Sequence, residues 1–211
     1  MTRVRVKVCG ITRAEDALLA ASLGADALGF VFWPSSPRAI TPEAAAAIVR
    51  QLPPMVGKVG VFVDAPPSEA ASIANTVCLT ALQLHGDEKP ELYTQLWLPI
   101  MKAVSLEDED ERRTAAAWPA RFTVLVDAAD RERRGGTGQR ANWERAAALA
   151  AQRPVVLAGG LTPDNVGEAI RAVRPWAVDV SSGVETSPGI KDANKLRHFF
   201  AAVAEENGVR A

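Results

Sequence analysis

Two glycine-bearing segments offer the sharpest chemistry in the chain. Ala158-Gly159-Gly160-Leu161 and Val180-Ser181-Ser182-Gly183-Val184-Glu185 each follow a short apolar run. Residues without side chains let backbone N–H groups approach an anion, and a helix N-terminus beside them adds favourable partial charge. The two segments therefore read as a phosphate site that needs no lysine. The plainer reading is two tight turns in which glycine supplies a positive φ. Cys9, Asp64, His85, Ser105 and Asp127 also close short apolar runs. Thiols, imidazoles and carboxyls can move protons once their surroundings bring their acidity near working pH. Each has a duller alternative: a buried cysteine is a small hydrophobe, and Asp64, Asp127 and Asp179 could form turns or begin helices. Cys78, inside an apolar stretch, is assigned to packing.

These residues need elements to hold them. Short β-branched runs alternate with Ala-rich amphipathic stretches from end to end, the pattern of βα units feeding a parallel sheet. The strands read as Arg5–Cys9, Ala27–Phe32, Lys58–Val63, Ala81–Leu84, Ile100–Val104, Thr123–Asp127, Val155–Ala158 and Ala177–Val180. Helices are expected over Ala14–Leu23, Pro42–Gln51, Pro67–Thr76, Pro90–Trp97, Asp108–Ala117, Asn142–Gln152, Pro163–Arg174 and Asp192–Glu206. Thr41-Pro42 and Thr162-Pro163 each place a capping Thr before a Pro at the first helical position, Pro66-Pro67 is a similar start, and Gly24 suits a left-handed helix end. Eight such pairs fit one α/β (β/α)8 barrel, a TIM barrel, whose reactive groups stand at the C-terminal ends of the strands. An open doubly wound sheet shares the same periodicity.

The chain has 211 residues, 48% hydrophobic and 23% charged, with no composition shift or long linker, so one barrel domain spanning 1–211 is expected. A net charge of −1, with the signs interspersed, makes a small molecule a better partner than nucleic acid or an anionic membrane. Cys9 and Cys78 are the only cysteines, far apart, which suggests neither a zinc site nor a disulfide framework. The N-terminus leads straight into the first strand and no apolar run reaches spanning length, so a cytoplasmic protein is expected. The acidic run Glu107–Glu111 and the basic run Arg131–Arg134 read as exposed surface. Gly136-Thr-Gly138-Gln-Arg-Ala141 imitates a dinucleotide fingerprint, but Ala128–Gly135 separates it from the preceding strand, so Gly135–Gly138 is read instead as a loop over the barrel mouth.

Several blocks, in order, carry a resemblance. Lys7-Val8-Cys9-Gly10-Ile11-Thr12, Gly29-Phe30 through Ser36-Pro37-Arg38, Val59-Gly60-Val61-Phe62 and Gln83-Leu84-His85-Gly86 come first. Asp127 with Gly135-Gly136-Thr137-Gly138, then Leu157-Ala158-Gly159-Gly160-Leu161, then Asp179 to Glu185 with Pro188-Gly189-Ile190-Lys191-Asp192 complete the set. Together they resemble the phosphoribosylanthranilate isomerase family. The resemblance implies an Amadori rearrangement of an aminoaldose phosphate in tryptophan biosynthesis, without metal or cofactor. It also implies roles: Asp127 the general acid that opens the furanose ring, Cys9 the general base, and Arg38 the contact for the anthranilate carboxylate. His85 and Asp179 are implied to line the substrate pocket, and Gly160, Ser182 and Gly183 to hold the phosphate. Asp127 then needs desolvation or a negative neighbour to stay protonated, and Cys9 needs positive potential. A monomer or homodimer acting on a phosphosugar is expected.

The chain departs from the family at Ala141-Asn142-Trp143, where Phe-Asp-Trp is common; Asn142 can still cap the following helix. The nearest rival, the related histidine-pathway isomerase, is expected to use an aspartate where Cys9 stands. An indole-glycerol-phosphate synthase would need catalytic lysines, for which Lys102 is the isolated candidate. A non-catalytic anion-binding barrel would keep Gly160 and Ser182 without needing both Cys9 and Asp127.

Overall fold

The computed structural model describes residues 3–106, 109–119, 121–128 and 141–208. Residues Gly135–Gly138, read above as a loop over the mouth, and the run Arg131–Arg134 lie outside them, as do Glu107 and Asp108 of the acidic run. Glu109 and Asp110 are exposed at a helix start, as expected.

Eight strands alternate with helices: β1 (Arg5–Cys9), α1 (Ala14–Ser22), β2 (Ala27–Val31), α2 (Pro42–Val49), β3 (Gly57–Phe62), α3 (Pro67–Val77), β4 (Ala81–Leu84), β5 (Ile100–Val104), α4 (Glu109–Ala117), β6 (Thr123–Val126), α5 (Trp143–Ala150), β7 (Val155–Leu157), α6 (Val166–Val173) and β8 (Ala177–Val180). A short hairpin, β9 (Glu185–Ser187) and β10 (Ile190–Lys191), precedes α7 (Ala193–Glu206). Every strand from β1 to β8 pairs with its sequence neighbour, and β1 closes on β8, so the sheet is a barrel rather than an open sheet.

Alternation along the strands divides two layers. Val6, Val8, Leu28, Phe30, Leu82, Leu84, Val124, Val126, Val178 and Val180 pack outward into the large core shared with the helices. Their neighbours Ala103, Leu125, Val156, Ala158 and Ala177 fill part of the interior, with Met101 packed against them. Higher in the interior, Cys9 packs with Val31, Val61 and Trp33.

Several local expectations hold for the stated reasons. Thr41 accepts a hydrogen bond from the Ala44 amide at 3.2 Å and Pro42 opens α2, while Gly24 turns at φ 97° after α1. Three expectations are corrected. The helix read at Pro90–Trp97 is a single 3-10 turn, Pro90–Tyr93, before β5 begins at Ile100. α6 begins at Val166 rather than at Pro163, because the Asn165 side chain accepts from the Thr162 amide and donates to the Gly160 carbonyl, tying that stretch into a turn. Cys78 does not pack: it ends α3 in the left-handed conformation, φ 59°, and is exposed. The β9–β10 hairpin was not anticipated, since two strands of three and two residues carry no readable alternation.

Candidate active site

Strand direction brings the polar residues to one end. Cys9 ends β1, His85 follows β4, Asp127 follows β6 and Asp179 lies in β8, all on the interior-facing phase of their strands. β1 and β6 stand three strand positions apart around the barrel, so Cys9 and Asp127 face one another across its opening.

Asp127 is held by its backbone and left short of partners. Its amide donates to the Val104 carbonyl at 2.9 Å, and its Oδ1 accepts from the Ala128 amide at 2.8 Å. Its Oδ2 stands 3.5 Å from His85 Nε2, longer than a good hydrogen bond. Burial pushes this carboxyl up to about 6; the Ala128 amide opposes that, and the negative charge of Asp179 adds to it. Gln83 Nε2 lies 3.0 Å from His85 Nδ1, which ties the ring to β4.

Cys9 lies among apolar side chains with two cations near it. Burial against Val31, Val61 and Trp33 pushes the thiol up, and Lys7 and Lys191 pull it back down. Lys7, two residues earlier on the same strand face, pairs with Asp179 at 2.9 Å, and strand register sets the two side by side. Asp179 Oδ2 takes that bond. Its Oδ1 and Gln83 Oε1 are buried without a hydrogen-bond partner among the described residues.

Arg38 is not a free guanidinium. Its Nε and Nη2 grip Glu185 at 2.7–3.1 Å, and Lys191 Nζ meets the same carboxylate at 2.6 Å and the Cys9 carbonyl at 2.6 Å. Burial pushes Glu185 up, but Arg38 and Lys191 outweigh it and hold the carboxyl below its ordinary range. A guanidinium has five N–H donors, so this grip leaves the Nη1 side to face another carboxylate. Gly10 is required beneath it: a Cβ there would lie 2.5 Å from the Arg38 side chain, and φ is 74°.

The glycine segments meet as a pair. Gly159 and Gly160 follow β7 at φ 81° and 61°, and Ser182–Val184 forms one 3-10 turn after β8. A Cβ on Gly183 would lie 1.9 Å from the Leu161 carbonyl oxygen, so the two loops touch backbone to backbone. The first N–H groups of that turn have no intrahelical acceptor, and Gly160, Ser182 and Gly183 are all partly open to solvent.

Two residues singled out in the sequence, Asp64 at a strand end and Lys102 within β5, serve structure instead. Asp64 takes φ 51° and its Oδ1 accepts from the Asp87 amide at 2.6 Å, a turn former. Lys102 shares its strand phase with outward-facing Ile100 and Val104, lies over the Trp118 ring and pairs with Glu88 at 2.8 Å, so it does not enter the barrel. The lysine on which a synthase reading leaned thus faces away from the mouth. Lys7, Gln83, Glu185 and Lys191 were given no role from sequence. Lys7 was findable, because residues two apart on a strand share a face; Glu185 and Lys191 reach the site through an unforeseen hairpin.

Among the described residues no helix is long and apolar enough to cross a membrane. A family model described as N-(5'phosphoribosyl)anthranilate (PRA) isomerase matches residues 6–202. A Thiobacillus denitrificans protein named N-(5'-phosphoribosyl)anthranilate isomerase is 51% identical over 199 residues, covering 94% of this chain and 97% of its own. The crystal structure of phosphoribosyl anthranilate isomerase from Thermotoga maritima superposes with a TM-score of 0.89 at 43% identity, covering 96% of this chain and 99% of that one. A crystal structure of a phosphoribosyl anthranilate isomerase in complex with reduced 1-(o-carboxyphenylamino)-1-deoxyribulose 5-phosphate matches at TM-score 0.86 and 42% identity, covering 96% of this chain and 99% of that one.

Proposed function

This chain belongs to the N-(5'-phosphoribosyl)anthranilate isomerase family, and from that premise we propose that Asp127 and Cys9 are the acid and base of its reaction. The activity is an Amadori rearrangement in tryptophan biosynthesis, an isomerisation of an aminoaldose phosphate to an aminoketose. Asp127 gives its proton to the furanose ring oxygen as the bond from that oxygen to the anomeric carbon breaks, and the nitrogen lone pair forms the iminium. The Cys9 thiolate then takes the proton from the adjacent sugar carbon, and the electrons released form an enolamine. Gain of a proton at the anomeric carbon and loss of the enol proton complete the ketone.

The observation that carries this reading is the Asp127 carboxyl standing largely buried at the barrel mouth across from Cys9, where burial pushes it up to about 6. An acid in that range keeps a usable protonated fraction near neutral pH, which an ordinary aspartate does not. Arg38 offers its remaining edge to the anthranilate carboxylate, His85 and Asp179 line the pocket, and Gly160, Ser182 and Gly183 receive the phosphate. The protein works in the cytosol as a monomer or homodimer. Cys9→Ala and Asp127→Asn are each expected to abolish turnover in a fluorescence assay of phosphoribosylanthranilate loss, with the far-UV spectrum unchanged. Normal turnover in either variant would falsify its assigned role.

A further inference from the structure

The base just assigned raises a problem that its surroundings answer. A thiol among Val31, Val61 and Trp33 resists ionisation, yet a general base must be a thiolate. We propose that Lys7 is the positioning cation that stabilises the Cys9 thiolate, and that Asp179 sets how strongly it does so. This rests on Cys9 being the base.

Three features of geometry support it. Lys7 and Cys9 share the interior face of β1, and strand register sets Lys7 beside Asp179 and Cys9 beside Gly29. A Cβ built on Gly29 would meet Cys9 Sγ at 2.7 Å and Lys7 Nζ at 3.1 Å, so the sulfur and the ammonium occupy the space this glycine leaves open. The Lys7 side chain is 5% exposed, and its Nζ is anchored to Asp179 Oδ2 at 2.9 Å. A buried ammonium with one carboxylate partner has donors to spare for the sulfur beside it. Asp179 acts in the other sense: it keeps Lys7 charged while its own negative charge disfavours the thiolate.

Among the described residues, few other charges face the thiol. Lys191 of β10 donates to the Cys9 carbonyl and favours the thiolate less than Lys7 does, its Nζ being paired with Glu185 at 2.6 Å. Asp127 stands across the mouth with His85 beside it, and Arg38 is bound to Glu185. β2 and β3 offer only Gly29, Val31 and Val61 to the sulfur. Among these groups Lys7 is the cation against the sulfur itself. Burial works to discharge Lys7, and Asp179 with Cys9 more than offsets it, holding the ammonium above its ordinary range.

The test titrates Cys9 directly. In a Cys78→Ser background it is the sole thiol, and thiolate absorbance near 240 nm reports its midpoint without substrate. Lys7→Met is expected to move the midpoint up by about 1–3 pH units, Lys7→Arg to move it less, and Asp179→Asn to move it down. Should Lys7→Met fail to fold, Lys7→Met with Asp179→Asn leaves no unpaired buried charge, and its midpoint is still expected above that of the parent. In kinetics, the alkaline limb of the kcat/KM profile of Lys7→Met should rise with the thiol, and the plateau should fall by up to tenfold per unit of that movement. A packing role alone would lower the plateau without shifting the limb. Failure of the base assignment would appear separately, as turnover retained in Cys9→Ala. An unmoved Cys9 midpoint in Lys7→Met, with Cys9→Ala inactive, overturns the role of Lys7.

Discussion

At the scale of single residues, the two proposed proton-transfer groups are pushed by the same force. Burial raises both, leaving Asp127 at about 6 and Cys9 above the ordinary thiol range. The form that acts, protonated Asp127 with ionised Cys9, is then the minority form between those values. The kcat/KM profile is expected to rise to a plateau above pH ~6, with its alkaline limb beyond the ordinary thiol value of about 8.5; an acid limb near 4 would deny Asp127 this environment. Burial also costs stability. Because the folded value of Asp127 lies above its ordinary 3.8, its contribution is intact below about pH 4 and is lost as pH rises through about 6. Asp127→Asn, expected to lose turnover, is therefore also expected to be the more stable protein at pH 8 by roughly 3 kcal/mol. Urea titrations of the two should converge toward pH 4. Which polar side chains stand at strand ends was legible from the chain, and so were Cys9 and Asp127 as candidates. Asp64 and Lys102 were not separable from them by type: only their neighbours, Asp87 and Glu88, reveal a turn and an outward ion pair.

At the scale of elements, loop contacts decide what the strand ends can hold. The Gly183 position leaves no room for a methyl group against the Leu161 carbonyl. Gly183→Ala must part the loops after β7 and β8, and is expected to raise KM on the order of tenfold while kcat falls less, since phosphate grip rather than proton transfer is damaged. Steady-state kinetics check this; equal loss in both constants would speak against a phosphate site there. Lys102 joins β5 to the turn after β4 through Glu88, whose side chain is 1% exposed and also accepts from the amides of Asp64 and Gly86. Lys102→Met strands that carboxylate and is expected to cost about 3–5 kcal/mol in urea unfolding, with kcat per folded molecule retained. Helix starts with a Thr-Pro signal were legible at Thr41 but not at Thr162, where Asn165 bonds both the Thr162 amide and the Gly160 carbonyl and holds the chain in a turn for three more residues. The single 3-10 turn at Pro90–Tyr93 was misread as a helix because Pro-led stretches satisfy the same start rule whether or not a helix follows.

At the scale of the whole molecule, one closure makes the site. Pairing of β1 with β8 sets Lys7 beside Asp179 and brings the glycine loops around to Cys9, and α7 packs across this seam with Leu196, Phe199 and Val203 buried. Phe199→Ala is expected to cost about 3–5 kcal/mol and to lower the thermal midpoint without moving the pH profile. A shifted profile would mean that the seam tunes the site as well as sealing it. By itself the chain determined the eight strands and the alternation of helices with most of them, the strand-end positions of the polar groups and its family, because periodicity and motif order are local properties of sequence. Closure into a barrel, the grip of Glu185 on Arg38 and the pairing of Asp179 with Lys7 were decided only by tertiary structure. Each depends on which strand lies next to which and in what register, and contacts between residues more than a hundred positions apart leave no mark on the spacing of either partner.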